Sequence, residues 1–381
     1  MSRIPIADPD IGRDEHRRVA AVLEGGRLAD GPTVRSFESA FADYCGAAHG
    51  VATANGTTAL ETAMRAVGLG EGDTVITSPF SFIASANAVR LAGASVAFAD
   101  IDPATYNLDP AAVEAVLDTR DVDAILAVHL YGLPAPMDRL RELADAYDCL
   151  LIEDAAQAHG AAIDGRRTGS LGDAACFSFY PTKNMTTGEG GMVVTDDEGV
   201  ADRAARWVNH GRTETYEHAT VGHNYRLTSL AAAIGLAQLN KLDEFTAARR
   251  STAARLTETL ADVDGIVPPT EPEGFRHVYH QYTVRTDDRE AFESYLDDAG
   301  VDTAVYYPTP IHRQPPYADH EPTAPEAEAA AESVVSLPVH PGLSEREVDR
   351  LTTILQAYDR LEDPVEAGAP AAAEEGEGAD D

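Results

Sequence analysis

Lysine is almost absent from this chain of 381 residues: Lys183 and Lys241 are the only two, so nearly every positive charge is an arginine. Long apolar runs are missing too. No stretch of about 18 uninterrupted apolar residues marks a membrane span, and the N-terminus, MSRIPIADPDIGRDEHRR, lacks the apolar core and small-residue cleavage site of a secretory signal. The expectation is a cytoplasmic protein that is not a membrane protein. Cysteine is sparse and carries no metal-type spacing: Cys45, Cys149 and Cys176 stand far apart, the latter two in apolar segments that read as buried strands. Reduced core thiols and no metal site are expected. Positive charge is also in deficit. The formal charge is −35, and the tail from Leu361 to Asp381 holds eight acids and no base, leaving −27 for the rest. Such a surface disfavours nucleic acid or an anionic membrane as partner, because phosphate contacts need Lys or Arg patches. It points to a halophilic setting in which counterions screen the self-repulsion.

The hydrophobic content of 44% is ample for a large domain and a smaller second one. Between His49 and Asp197 short apolar runs (GVATAN, TVITSPF, SVAFADI, AILAVHL, CLLIED, ACFSFY, GMVVTD) alternate with helix-like segments. Continuous strands at crossover spacing imply an α/β fold with a mainly parallel sheet flanked by helices, and ligands bind beyond the carboxyl ends of such strands. From Thr228, SLAAAIGLAQLNKLDEF reads as one helix and AARRSTAARLTETLADV as a second, before the proline cluster VPPTEPEG. Strands near QYTVRT, TAVYY and SLPVH and helices at about 288–299 and 344–358 suggest a smaller α+β unit. The division expected is a large domain over 1–245, a small one over 246–360, and a disordered acidic tail over 361–381.

Lys183 lies in ACFSFYPTKNMTTGEGGMVV, after a buried strand and before a Gly-rich turn. Arginine satisfies surface charge but does not lose its proton; lysine does, and only a neutral amine forms a Schiff base. A solvated loop lysine fits the position equally well, but lysine's scarcity favours chemistry. Asp154 closes CLLIED beside Glu153, and only one of the two can point inward. It reads either as a helix cap or as the anion that keeps the ring nitrogen of pyridoxal phosphate (PLP) protonated. NGTTAL follows a strand and opens a helix, so the N–H groups of Gly56, Thr57 and Thr58 sit at the positive end of a helix dipole, suited to a phosphate or simply to an ordinary capped start. Ser178 adds a hydroxyl, with Phe177 and Phe179 pointing the other way. Phe80 and Phe82 in SPFSFIASANAV are core residues or stacking partners for a flat ring.

Together with GRLADGPTVRSFESAFADYCG, EDAAQAHGA, HNYRLTSLAAAIGLAQL, YYPTPIHRQPPY and SLPVHPGLSEREV, these segments resemble, from about Ile4 to Asp359, the DegT/StrS-type sugar aminotransferases among the fold-type I PLP enzymes. The resemblance implies that Lys183 is the Schiff-base lysine and proton shuttle, and that Asp154 pairs with the ring nitrogen. It also implies that Gln157 meets the ring's phenolic oxygen, that Phe82 stacks on the ring, and that Gly56, Thr57 and Ser178 hold the phosphate. Asn224, by residue pattern a loop residue, matches a position that serves the phosphate site of a neighbouring subunit, implying a homodimer with shared sites. Tyr307 and His312 match positions near the sugar, and Arg226 would meet a donor carboxylate or a sugar-nucleotide phosphate. The implied reaction moves an amino group from L-glutamate to a nucleotide-linked keto-sugar, for an amino sugar of a polysaccharide or glycan. Lys183 disfavours the branch of sugar dehydratases that carries histidine there. Amination of a cyclitol or other non-nucleotide ketone, and a PLP-binding regulator without turnover, stay open. A nucleotide-binding oxidoreductase ranks last, because no G-x-G-x-x-G follows the first strand.

Overall fold

The computed structural model describes residues 3–318 and 323–362, with the backbone alone given for 359–362. Seven strands build the main sheet: β1 (His49–Thr53), β2 (Thr74–Thr77), β3 (Ser95–Phe98), β4 (Ala124–Val128), β5 (Leu150–Asp154), β6 (Ala174–Ser178) and β7 (Gly191–Thr195). Their order across the sheet is β1-β7-β6-β5-β4-β2-β3. All pairings are parallel except those of β7, which runs antiparallel to both β1 and β6. The seven apolar runs of the sequence thus become the seven strands of one α/β layer. Every residue of β4 and β7 is buried, as strands covered on both faces require.

The helices of this layer are α1 (Arg13–Gly25), α2 (Pro32–Cys45), α3 (Gly56–Val67), α4 (Ala84–Leu91), α5 (Pro110–Leu117), α6 (Met137–Ala146), α7 (Glu198–Trp207) and α8 (Ser229–Leu239). Short polar residues start many of them: Asn55, Asp109, Asp197 and Thr228 each accept a backbone N–H from the first turn of α3, α5, α7 and α8. Strand alternation divides the core. Cys176 packs with Ala59, Ala63 and Met64 under α3, while Phe177 and Phe179 turn to the opposite face with Phe37 and Phe41 of α2. Phe41 meets Phe177 at 4.9 Å and Phe179 at 5.1 Å, edge to face. All three cysteines are free and buried.

A second core gathers around a three-stranded antiparallel sheet of β8 (Ile266–Val267), β9 (Tyr282–Thr286) and β10 (Val334–Leu337). Helices α9 (Leu242–Leu260), α10 (Arg289–Asp298), α11 (Pro325–Ser333) and α12 (Glu345–Glu362) accompany it. The Ala-rich segment breaks at Asn240 and Lys241 rather than after Phe245, so α9 runs unbroken across 245 and 246. Ile4, from the chain's start, is fully buried in this second core and bridges Val301. TAVYY is not a strand: only Ala304 bridges Ser336, and the prolines at 308 and 310 offer no N–H to extend a ladder. Of the expected acidic tail, Leu361 and Glu362 end α12, and the remainder lies outside the described residues. Among the described residues no helix is long and apolar enough to cross a membrane.

Candidate active site

The carboxyl ends of β4, β5 and β6 and the start of α3 open on a cavity of about 1190 Å³. Lys183 reaches it from the loop after β6. That loop is tied down at several points: Lys183 N–H donates to Tyr180 O at 2.9 Å, Thr186 Oγ1 to Phe179 O at 2.8 Å, and Asn184 Nδ2 to Val278 O at 3.1 Å. A fixed loop holds the lysine stem, as a reactive amine requires. Burial pulls the Lys183 ammonium down to about 8, against the opposing pull of Asp154, so a substantial share of this amine is neutral near physiological pH.

Glu153 and Asp154 settle on opposite faces of β5, as strand alternation demands. Glu153 turns away from the cavity and is fully buried; it accepts N–H bonds from Gly169 (2.9 Å), Leu171 (2.8 Å) and Gly172 (2.9 Å), and meets His129 Nε2 at 2.9 Å. Because His129 Nδ1 accepts from Ala135 N–H, the ring proton belongs on Nε2, facing the carboxylate. Asp154 turns into the cavity, where Ser85 Oγ donates to its Oδ2 at 2.7 Å and Ala156 N–H to its Oδ1 at 3.2 Å. Burial raises the Asp154 pKa, while these two bonds and Lys183 favour the ionised form.

At NGTTAL, where a phosphate cup is expected, the start of α3 opens on the cavity. Asn55 Oδ1 takes the Thr58 N–H at 2.9 Å, leaving the N–H groups of Gly56 and Thr57 at the open end of α3. A Cβ on Gly56 would lie 2.7 Å from Ser178 Cβ, so only glycine lets the helix start approach that hydroxyl. Ser178, Gly56 and Thr57 line the cavity together. Gln157 is held at both ends: Tyr131 N–H donates to its Oε1 at 2.7 Å and its Nε2 donates to Tyr307 Oη at 3.0 Å. Phe80 is fully buried in the core, whereas Phe82 is 58% exposed and faces the cavity 6.1 Å from the Tyr307 ring. An anion cradle, a buried carboxylate, a depressed amine and an uncovered aromatic face suit a flat, phosphorylated, cationic ring, so the residues fit PLP.

Eight of the expected site residues line this cavity: Gly56, Thr57, Phe82, Asp154, Gln157, Ser178, Lys183 and Tyr307. Three do not. His312 is buried, its Nε2 2.9 Å from Glu328 Oε1 and its ring 6.4 Å from that of Phe98. Asn224 is exposed. Arg226 spends its guanidinium on this chain's own asparagines, donating to Asn224 Oδ1 at 3.0 and 2.8 Å and to Asn209 Oδ1 at 3.0 Å, beside a separate cavity of about 350 Å³. Sequence reasoning missed Ser85, although Ser81 and Ser85 stand four positions apart beyond β2 and Ser81 Oγ donates to Ser85 Oγ at 3.0 Å. It also missed Glu61, Arg65, Trp207 and Tyr225, which line the far part of the same cavity.

The model of the DegT/DnrJ/EryC1/StrS aminotransferase family matches residues 9–356. A pleiotropic regulatory protein of Geobacillus stearothermophilus is 42% identical over 332 residues, which cover 86% of this chain and 89% of that protein. The dTDP-3-amino-3,4,6-trideoxy-alpha-D-glucose transaminase of Streptomyces venezuelae is 40% identical over 365 residues, 93% of this chain and 96% of that one. The crystal structure of S. venezuelae DesV in complex with a ketimine intermediate superposes with a TM-score of 0.91 at 39% identity, covering 94% of this chain and 99% of that one.

Proposed function

This chain belongs to the DegT/DnrJ/EryC1/StrS aminotransferase family and is a PLP-dependent aminotransferase; on that premise we propose that it moves an amino group from L-glutamate to a keto-sugar carried on a nucleoside diphosphate. The observation that carries the reading is the meeting, in one cavity, of Lys183, Asp154 and the open N-terminus of α3. Lys183 Nζ takes the proton from the donor's α-carbon and, in the reverse half, returns one to the sugar carbon that gains nitrogen. When bound, PLP supplies the conjugated ring that holds the electron pair released as the α-carbon loses its proton. Asp154, held by Ser85 and Ala156, would pair with the ring nitrogen and keep it protonated. Gly56, Thr57 and Ser178 would hold the phosphate, Gln157 would orient the ring through its pinned amide, and Phe82 would stack on it.

The exposed Asn224, turned away from its own chain's cavity, suits a homodimer in which each subunit completes the other's phosphate site. Tyr307, on the cavity wall, would meet the sugar, and His312, which is absent from that wall, would act on the sugar only indirectly. Amino-sugar synthesis for a polysaccharide or glycan is the role that follows, and the similarity to the S. venezuelae transaminase, named for a dTDP-linked sugar, supports it.

The test is a panel of nucleotide-linked keto-sugars offered to the purified protein at high salt with glutamate, following 2-oxoglutarate. Turnover of at least one member is expected. Turnover confined to ketones without a nucleotide, such as cyclitol ketones, would replace the acceptor class, and no turnover with a cofactor that glutamate leaves spectrally unchanged would point to a regulator.

A further inference from the structure

The second of the chain's two lysines, Lys241, sits at the break between α8 and α9. A cation there suits the carboxyl end of a helix, and arginine, which supplies nearly every other positive charge, would serve that end equally well. The partners of Lys241 are more particular. Its Nζ lies 2.8 Å from Glu15 Oε1 and 3.4 Å from Asp10 Oδ1, and Glu15 is only 1% exposed. A Cβ placed on Gly12 would touch the ammonium at 3.5 Å, so the start of α1 closes over a compact charge and leaves little room for a planar guanidinium.

Glu15 gathers further bonds. Its Oε2 accepts the Gly12 N–H at 2.8 Å and its Oε1 accepts from Gln238 Nε2 at 2.8 Å. Burial raises the Glu15 carboxyl, but the bonds from Lys241, Gln238 and the backbone outweigh it and pull the group down to about 2, so it stays ionised near neutrality. Gln238 Nε2 also donates to Asp10 O at 2.7 Å, which fixes the amide with its Oε1 turned toward the Thr186 N–H at 3.4 Å. Thr186 lies three residues beyond Lys183, and its hydroxyl, besides donating to Phe179 O, accepts the Gly188 N–H at 2.9 Å. Helix α8 presses on the same loop: a Cβ on Gly235 would meet Thr187 Cγ2 at 2.9 Å, so helix and loop do not shift independently. Asp10, Lys183, Thr186 and Gln238 together line a cavity of only about 20 Å³, space for about one water molecule. A chain of direct bonds thus runs from one lysine to the loop of the other, with little slack between them.

We propose that Lys241 is a positioning residue for Lys183: it fixes Glu15, Glu15 orients Gln238, and Gln238 with α8 sets the loop that carries the reacting amine. Lys241 is absent from the wall of the cofactor cavity, so its influence passes through the protein and not through a ligand. Without its ammonium, Glu15 would be a buried carboxylate short of a partner, a group that draws in water or turns outward; Gln238 would follow it and the loop would loosen. Lys183 would then gain contact with water, relieving the burial that depresses its amine. The inference rests on the reading of Lys183 as the Schiff-base lysine.

The test follows PLP attaching to the full chain, stripped of cofactor and reloaded at constant salt, by stopped-flow absorbance across pH, with a denaturant titration of each variant alongside. Lys241→Met should raise the pH midpoint of attachment above the parent value of about 8 by about one unit, slowing attachment below it about tenfold. Lys241→Arg keeps the charge in a bulkier group and should recover only part of that loss. Gln238→Leu breaks the chain one link nearer the loop and should give the same shift, with the double variant no worse than either single one, because both act through one route. Should Lys241→Met fail to fold, Lys241→Arg and Gln238→Leu read the same quantity. A lower denaturant midpoint with the pH midpoint and attachment rate unchanged would overturn the proposal and leave Lys241 a purely structural residue. Additive shifts in the double variant would overturn the route through Gln238. PLP attachment that persists in Lys183→Arg would overturn the reading of Lys183 instead.

Discussion

Ser85 Oγ donates a 2.7 Å hydrogen bond to Asp154 Oδ2 from the first turns of α4, a helix that begins beyond a different strand from the one that carries the aspartate. The bond favours the carboxylate against the burial that raises its pKa. Ser85→Ala should therefore raise that pKa further, moving the acid limb of the kcat profile to higher pH and lowering kcat about tenfold, the order expected for a lost hydrogen bond to a charged group. An acid limb that stays in place would show that Ser85 only fills space.

The depressed Lys183 amine sets a second expectation. On the proposed mechanism its neutral form carries the chemistry, so the rate at which added PLP attaches should rise with pH up to about 8 and level off above it, falling roughly tenfold per pH unit below. Asp154 holds the ammonium form, so Asp154→Asn should shift this midpoint to lower pH. Lys183→Arg, which cannot shed a proton, should attach no cofactor and lose turnover by about 10³-fold or more. Stopped-flow absorbance across pH reads all three, and a midpoint unmoved in the asparagine variant would contradict the coupling.

Glu153 acts on stability. Replacing it by glutamine exchanges one acceptor oxygen for an NH2 group facing backbone donors, and at least one of the N–H groups of Gly169, Leu171 and Gly172 loses its partner. A loss of about 2–4 kcal/mol is expected, as for other broken buried charged networks. It should be visible as a lower denaturant midpoint at unchanged slope. A midpoint within error of the parent would mean that the loop from 169 to 172 relaxes to re-form its bonds.

The acid excess bears on salt. With a formal charge of −35, self-repulsion should weaken as ionic strength rises, so the melting temperature should climb by several degrees between about 0.2 and 2 M KCl, where the screening length falls from about 7 Å to near 2 Å. A flat response would remove the case for a halophilic setting.

Much of the sheet could be read in advance because its strands are short continuous apolar runs, a pattern that burial on both faces imposes. The same logic placed Lys183, Asp154 and the α3 cradle at one edge. What stayed hidden depended on distant pairings. Whether Glu153 or Asp154 faces the ligand rests on where the loop at 169–172 lies, and which of Phe80 and Phe82 is free rests on the packing of Phe80 against Tyr106 and its neighbours. Arg65 and Trp207 are 142 positions apart, and no periodicity of either segment announces their contact. The strand expected at TAVYY shows the converse error: β-branched and aromatic residues gave the local preference, but the prolines that follow leave too few donors for a ladder.

The placement of β7 has a consequence for assembly. It is the last of the seven strands to be synthesised, yet it lies between the first, β1, and β6. Until residue 195 is available β1 has no neighbour in the sheet, and α3, which follows it, is held near Ser178 only by its packing on Cys176. The proposed phosphate pocket is therefore completed late in folding. A nascent chain arrested before that point should carry most of the parallel strands and still be unable to capture PLP.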